Sequence, residues 1–365
     1  MVQALARVAT SPETADALAI RHAGQPAVSG DVRQCGHRVG RSLALVGVLL
    51  MLAACADLGY YGQAAQGHLD VMARREPIDR LLVDAAVGEE TRVRLALALE
   101  ARRFASDALA LPDNGSYRQY VDLGRPYVTY SLVAAPPLSI APRQRCFPLA
   151  GCVPYRGYFS RVSAELEAAR LRGAGDDVFT GPVRAYSTLG WFDDPLLSTM
   201  LELGETRMVG LIFHELAHQR VYVPGDSAFN ESYAVAVEEE GVRRWLTARG
   251  DSSELADWES ERDRETVLRN LLGALREDLE RAYAEASPDE IKARRKADLL
   301  AQYRDRYRAL KGEGGWDDSF DHWFGPQLNN ALLALLGTYG DWVPAFQVLL
   351  RDHGGSLADF HDAVE

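Results

Sequence analysis

Two neighbouring segments near the middle of the chain carry the clearest hydrophobic periodicity. Apolar residues recur every three or four positions from Glu205 to Val221, which is the spacing of one face of an α-helix. A second helix is predicted from about Ser227 to Arg249, with Gly250 at its end. The residues Pro224-Gly225-Asp226 form a tight connector between them. The pattern therefore predicts two consecutive helices that can pack antiparallel.

The remaining patterns are mostly helical, with two strand-like stretches. Helical patterns cover residues 59–110, 160–171, 251–310 and 329–363. β-branched and aromatic residues predict strands at 126–135 and 177–188. We expect Gly181-Pro182 to break the second strand. The chain is thus predicted to be α+β and mainly helical, with a small sheet before the central helix and a long helical C-terminal part.

The beginning of the chain has the pattern of an export signal. Arginines precede the apolar stretch Leu43–Ala54, and Cys55 follows it. The sequence Leu52-Ala53-Ala54-Cys55 looks like a bacterial lipobox, which implies cleavage before Cys55 and a lipid anchor on its sulfur. A plain signal peptide with an incidental cysteine is the alternative. The lipobox predicts a cell-envelope lipoprotein that faces the periplasm, and Ala56 favours the outer over the inner membrane.

Composition and cysteine content narrow the classes of function. The formal net charge of -12 argues against a nucleic-acid partner. The apolar fraction of 47% is enough for a sizeable core, so disorder throughout the chain is excluded. Cys146 and Cys152 are close in sequence, and in an oxidising compartment such a pair predicts a disulfide. Two free buried thiols are the alternative.

The sequence His214-Glu215-Leu216-Ala217-His218 carries the chemistry of the first central helix. Two histidines four residues apart lie on one helix face, so both imidazoles can reach one metal ion. Imidazole nitrogen suits Zn²⁺, and Glu215 beside it can act as the general base for a water molecule that the metal activates. These side chains interrupt an apolar helix, where they would be costly if unpaired. A surface helix that binds nothing is the alternative.

A catalytic zinc site needs a third protein ligand and leaves a fourth position for water. If the two helices pack antiparallel, Glu231 of the second helix lies level with His218. Glu238 lies on the same face but about 10 Å further along the axis. It is therefore better placed to orient an imidazole, although it remains the fallback ligand.

These residues lie in stretches that resemble the bacterial family of predicted zinc-dependent aminopeptidases exported as lipoproteins. The resemblance is carried by Gly59–Arg75, Leu111–Val128, Cys146–Ser160, Ala185–Pro195 and Phe213–Gly241. It implies a gluzincin-like metallopeptidase with His214, His218 and Glu231 as zinc ligands and Glu215 as the base. The pair Asn230-Glu231 follows His218 after fewer residues than the corresponding pair does in thermolysin-like enzymes.

The resemblance and the motif together suggest how the chain is divided. Residues 1–54 form the leader, 55–125 an N-terminal helical region and 126–250 a zincin-like catalytic core. Residues 251–365 form a C-terminal helical region that completes the same globular unit.

The leading functional hypothesis is hydrolysis of a peptide or protein substrate, starting from a free N-terminus. The alternatives are an endopeptidase of envelope proteins and a membrane-anchored metal-binding scaffold without catalysis. We expect the substrate backbone to bind along Val183–Leu189, which includes Tyr186 and Ser187. Four tyrosines are conceivable donors to the oxyanion of the reaction: Tyr158, Tyr186, Tyr233 and Tyr339.

Overall fold

The computed structural model describes residues 59–147, 151–338 and 342–365. The leader, Cys55 and Tyr339 lie outside the described residues. Within them the fold is α+β and mainly helical, as predicted. The helices are α1 (59–73), α2 (Ile78–Val83), α3 (Glu89–Leu109), α4 (Arg161–Gly173), α5 (Ser198–Leu201), α6 (Glu205–Arg220), α7 (Ser227–Arg249), α8 (Ser252–Ala284), α9 (Asp289–Gly314), α10 (Asn330–Thr338), α11 (Val343–Asp352) and α12 (Leu357–Val364).

Short strands form three small sheets. The strands are β1 (Glu76–Pro77), β2 (Gln119–Val121), β3 (Thr129–Ala135), β4 (Arg145–Phe147), β5 (Gly151–Val153), β6 (Tyr155–Tyr158), β7 (Asp177–Val183) and β8 (Leu196–Leu197). In the central sheet β3 lies between β6 and β7, and both pairings are antiparallel. A second sheet has the order β1-β2-β8, and β4 pairs with β5 in a hairpin.

The prediction that Gly181-Pro182 breaks the second strand is wrong, because β7 continues through both residues. Proline lacks an N–H and is tolerated in a sheet where its nitrogen faces an open edge. β7 is an edge strand, and the carbonyl of Val183 accepts a hydrogen bond from the Val128 amide at 2.9 Å. Backbone groups alternate along a strand, so those of Pro182 face away from β3 and the ladder is undisturbed.

The central sheet has two faces with different coverings. On one face, Leu132 and Ala134 of β3 pack with Tyr158 of β6 against α4. On the other face, Val133 and Ala135 pack against α10. This second face also looks toward α6 and α7, so the sheet forms one wall of the space above the His-Glu motif.

Helices α6 and α7 pack closely at the centre of the main hydrophobic core. A Cβ atom at Gly241 would come within 2.7 Å of the Phe213 ring, and one at Gly210 within 3.1 Å of a Glu238 carboxylate oxygen. Larger residues at these two positions would hold the helices apart. The glycines therefore allow side chains on the facing surfaces of α6 and α7 to reach each other.

The predicted charged hairpin is formed by α8 and α9, with the corner at Ser287-Pro288. It has its own apolar cluster, which includes Leu268, Leu275 and Tyr303. Asp251 caps α8 by accepting a hydrogen bond from the Glu254 amide. None of the described helices is long and apolar enough to cross a membrane.

Candidate metal centre

The α6–α7 pair brings two histidines and one glutamate to a single point. Nε2 of His214 lies 3.3 Å from a carboxylate oxygen of Glu231, and Nε2 of His218 lies 3.5 Å from the same oxygen. One potential ligand atom from each of the three residues lies within 4.8 Å of the others. Among the described residues, this is the group of histidine, cysteine and acidic side chains that could hold a metal ion.

The geometry of this group fits a small tetrahedral cation. Ligand atoms at about 2.0–2.1 Å from a tetrahedral centre lie about 3.3 Å apart. The two measured N-to-O separations are close to that value. All three side chains are buried, with 7–8% of each residue exposed. Two imidazoles and a carboxylate form a donor set that suits zinc, and three protein ligands leave one position open.

A clamp in the connector fixes the position of Glu231. The side chain of Asn230 accepts a hydrogen bond from the Val223 amide and donates one to the Val223 carbonyl, each at 2.8 Å. Asp226 caps α7 by accepting a hydrogen bond from the Phe229 amide at 3.0 Å. These contacts set where α7 begins, and thereby bring Glu231 level with His218.

Glu238 contacts the outer side of the first histidine. Its carboxylate lies 3.0 Å from Nδ1 of His214, while Nε2 of that ring points toward Glu231. A carboxylate on Nδ1 fixes the tautomer and orientation of a histidine whose Nε2 is the metal ligand. Nδ1 of His218 is buried and has no such partner among the described residues.

The buried carboxyl groups of Glu231 and Glu215 have pKa shifts in opposite directions. Burial would raise the pKa of Glu231, but the charge of His218 and the hydrogen bonds from both histidines outweigh it and lower the pKa to about 2. Burial raises the pKa of Glu215, and the two histidines only partly oppose it. Glu231 is therefore held ionised, as a metal ligand must be, whereas Glu215 is shifted toward binding a proton.

A cavity of about 1110 Å³ opens beside these residues. Its wall on the central sheet includes Ser131 of β3, which lies between Gly157 of β6 and Gly181 of β7 in the sheet register. The two glycines carry no side chains, and the Phe179 ring lies over Gly181, where a Cβ atom would come within 2.8 Å of it. Arg262 and Arg269 of α8 line the cavity on another side, and both form ion pairs with Glu265. His322 also lines this cavity.

The segment nominated for substrate binding lies along the cavity but is only partly a strand. β7 ends at Val183, and residues 184–189 continue without regular structure. Tyr186 and Ser187 both line the cavity. The Tyr186 hydroxyl lies 3.0 Å from Nδ1 of His68, and the Ser187 hydroxyl donates to Asp194 at 3.3 Å.

Asp194 joins this segment to the end of α6. It accepts hydrogen bonds from the Thr188 amide at 2.8 Å and from Nε2 of Gln219 at 3.4 Å. Gln219 directly follows the second histidine of the motif. Burial raises the pKa of Asp194 to about 6.

Cys146 and Cys152 are joined by a disulfide across the β4–β5 hairpin. Within that hairpin, a Cβ atom at Gly151 would lie 2.6 Å from the Gly225 amide nitrogen. The hairpin thus packs backbone against backbone on the connector between α6 and α7, close to the beginning of the helix that carries Glu231.

Of the tyrosines proposed from the sequence, Tyr186 lines the cavity, and its hydroxyl lies within hydrogen-bond distance of His68. Tyr158 lies on the opposite face of the sheet, and the Tyr233 hydroxyl lies 2.7 Å from Nδ1 of His361. Tyr155 and Tyr222, which were not proposed from the sequence, also line the cavity, and the carboxylate of Glu231 raises the pKa of both beyond the effect of burial. Sequence reasoning missed them because their position depends on the sheet register and on the connector.

A family model described as "Putative aminopeptidase" matches residues 59–365. No curated protein and no solved structure matches the chain.

Proposed function

The chain belongs to the family described as putative aminopeptidases, and on this premise we propose that it is a zinc-dependent peptidase of the gluzincin kind, with a zincin-like core. His214, His218 and Glu231 are the zinc ligands, and Glu215 is the general base. The observation that carries this proposal is the convergence of the three buried ligand residues on one point, with Glu215 beside them at the wall of a large cavity.

Different residues of the site bind the metal, orient its ligands and transfer the proton. Zinc bound by this group supplies a Lewis acid that lowers the pKa of a coordinated water toward about 7 and polarises a carbonyl. Glu238 holds the ring of His214 in the orientation that presents Nε2. Glu215 takes the proton from the attacking water and then delivers it to the leaving amine, and burial shifts its pKa toward that exchange.

The edge of β7 gives a peptide substrate a backbone to pair with. β7 has one neighbouring strand, β3, and its cavity-facing residues include Phe179 and Gly181. An extended peptide that adds to the free edge would gain main-chain hydrogen bonds from it, independently of its side chains. This arrangement supports a peptide as the substrate class.

The family description favours cleavage at a free N-terminus, and endopeptidase activity is the alternative. An aminopeptidase needs an anionic group for the substrate ammonium. Glu265 is a carboxylate on the cavity wall, yet Arg262 and Arg269 already bind it at 2.5 and 2.6 Å. Digestion of a peptide library with free and with blocked N-termini, read by mass spectrometry, distinguishes the two activities.

The location of the protein belongs to the same proposal. We infer that Cys55 carries a lipid that anchors the mature chain at the periplasmic side of the cell envelope, with the outer membrane favoured. The lipobox-like sequence supports this inference. The anchor lies outside the described residues.

Replacement of Glu215 by glutamine tests the proposed mechanism. Glutamine keeps the size of the side chain but cannot accept the proton, so we expect hydrolysis to fall by about 10²–10⁴-fold. Zinc content, measured by mass spectrometry of the native protein, should stay at one ion per chain. Unchanged hydrolysis in Glu215→Gln would refute the role of the base. Retained zinc without hydrolysis in the wild-type chain would favour the scaffold alternative.

A further inference from the structure

The proposed hydrolysis requires a hydrogen-bond donor that the metal-binding group does not supply. When water attacks a peptide carbonyl, the carbonyl oxygen gains negative charge, and donors aimed at that oxygen stabilise the transition state. Nε2 of both histidines is directed to the metal position, and Nδ1 of His214 is engaged by Glu238. Glu215 and Glu231 are acceptors when ionised. A hydrogen-bond donor must therefore come from another side of the cavity.

Tyr155 lies on the sheet wall of the cavity that the metal group also lines. It is the first residue of β6 and stands opposite Val133 of β3, so its side chain is on the cavity face of the central sheet. It packs against the apolar cluster of that face and also lines the cavity. Glu231 and Glu215 line the same cavity, and the carboxylate of Glu231 is the charge that acts on its phenol most strongly. These two residues are one proposed metal ligand and the proposed base.

The Tyr155 hydroxyl is not used to hold the fold together. Among the residues that the structure describes, no hydrogen bond joins this hydroxyl to another group. The hydroxyls of Tyr186, Tyr233, Tyr283, Tyr303 and Tyr307, by contrast, are hydrogen-bonded to named side chains. Burial raises the pKa of Tyr155 well above its ordinary value, so the phenol keeps its proton at neutral pH and can donate it in a hydrogen bond.

We propose that the Tyr155 hydroxyl donates a hydrogen bond to the oxyanion that forms on the scissile carbonyl. This inference rests on the proposed peptidase function and assigns the donor within the same site. Tyr222 lines the same cavity from the connector side, where Glu231 is the carboxylate that acts on it. Tyr155 is preferred because its place in β6 opposite Val133 fixes its ring on the sheet wall of the cavity, whereas Tyr222 lies in the connector after α6.

The test compares two tyrosines of one strand. Tyr155→Phe removes the hydroxyl and leaves the ring, and we expect kcat/KM to fall by about 10²–10³-fold, the usual effect of losing one oxyanion donor. Tyr158→Phe is the matched control, because Tyr158 lies three residues further along β6 on the face that packs against α4. It should keep at least half of the wild-type rate. Both variants should bind zinc as the wild type does.

A second measurement separates stabilisation of the transition state from a structural role. A phosphinic peptide, which mimics the tetrahedral species, should lose affinity for Tyr155→Phe in parallel with kcat/KM. The affinity of the corresponding uncleaved peptide for Glu215→Gln should change less than threefold when Tyr155→Phe is added. Equal rates for Tyr155→Phe and Tyr158→Phe, or a loss confined to Tyr222→Phe, would overturn the assignment to Tyr155 alone. A zinc-loaded wild-type chain that cleaves no peptide would overturn the proposed function as well.

Discussion

The chain contains two helical hairpins in which selected acidic side chains differ in their exposure and in their charged partners. In α6–α7, Glu215 and Glu231 are each 8% exposed, and their nearest charged neighbours are histidines and other carboxylates. In α8–α9, acidic groups such as Asp305 are largely exposed and pair with an arginine one turn away. Burying ionisable groups without permanent counter-ions is costly, so their concentration in one hairpin identifies it as a candidate functional site.

The largest predicted effect is on zinc affinity, and it concerns the carboxylates of Glu231 and Glu238, which lie on either side of His214. Glu231→Ala removes a proposed ligand and should abolish stoichiometric zinc binding. Glu238→Ala removes only the group on Nδ1, and we expect a loss of about 10–100-fold in zinc affinity. Competition with a chelator measures both affinities, with Glu238→Gln as the control that keeps an acceptor. If Glu238→Ala loses zinc while Glu231→Ala keeps it, the two roles must be exchanged.

An intermediate effect is expected at Asp194, the buried acid that ties residues 187 and 188 to the end of α6. Its pKa in the folded chain is about 6, above the ordinary value of 3.8. Folding therefore favours the protonated form, and stability from this group is present at low pH and lost as the pH rises through 6. Between pH 4.5 and 7 the free energy of unfolding should fall by about 2 kcal/mol more in the wild type than in Asp194→Asn.

Denaturant unfolding of the metal-free protein at several pH values provides the measurement. Removal of metal avoids a contribution from zinc binding, which also varies with pH. Parallel pH profiles for the wild type and Asp194→Asn would show that this carboxyl titrates normally and that its burial has no energetic consequence.

The smallest effect is predicted for the charged hairpin. Arg308 and Asp305 of α9 form an ion pair at 2.6 Å, and both side chains are 70% exposed. Water screens such a pair, so Asp305→Ala should change the free energy of unfolding by less than about 0.5 kcal/mol. The same denaturation experiment tests this prediction. If Asp305→Ala lowered the free energy of unfolding by more than about 2 kcal/mol, an exposed ion pair would contribute as much as a buried group, and the contrast between the two hairpins would be wrong.

The helices could be predicted from the sequence largely because their signals are local. Ser227–Arg249 followed by Gly250 is found as predicted, and Gly250 adopts a left-handed conformation that favours glycine. The hairpin corner at Ser287-Pro288 is likewise encoded in adjacent residues. The antiparallel packing that brings Glu231 level with His218 also followed from the short connector.

Features that depend on distant partners could not be predicted in this way. Strands β1, β2 and β8 have two or three residues each, too few to show an alternating pattern. The position of Tyr155 on the wall of the cavity depends on its register opposite Val133, more than twenty residues earlier. Asn230 is adjacent to Glu231 in the sequence, but its side chain bonds to the backbone of Val223 across the connector, which the sequence does not reveal.

The central claim is that His214, His218 and Glu231 hold one zinc ion, and anomalous diffraction at the zinc edge tests it most directly. Crystals of the mature chain loaded with zinc should show one strong anomalous peak at bonding distance from Nε2 of both histidines and from a Glu231 carboxylate oxygen. No peak at that position, or a peak coordinated by Glu238 in place of Glu231, would contradict the account.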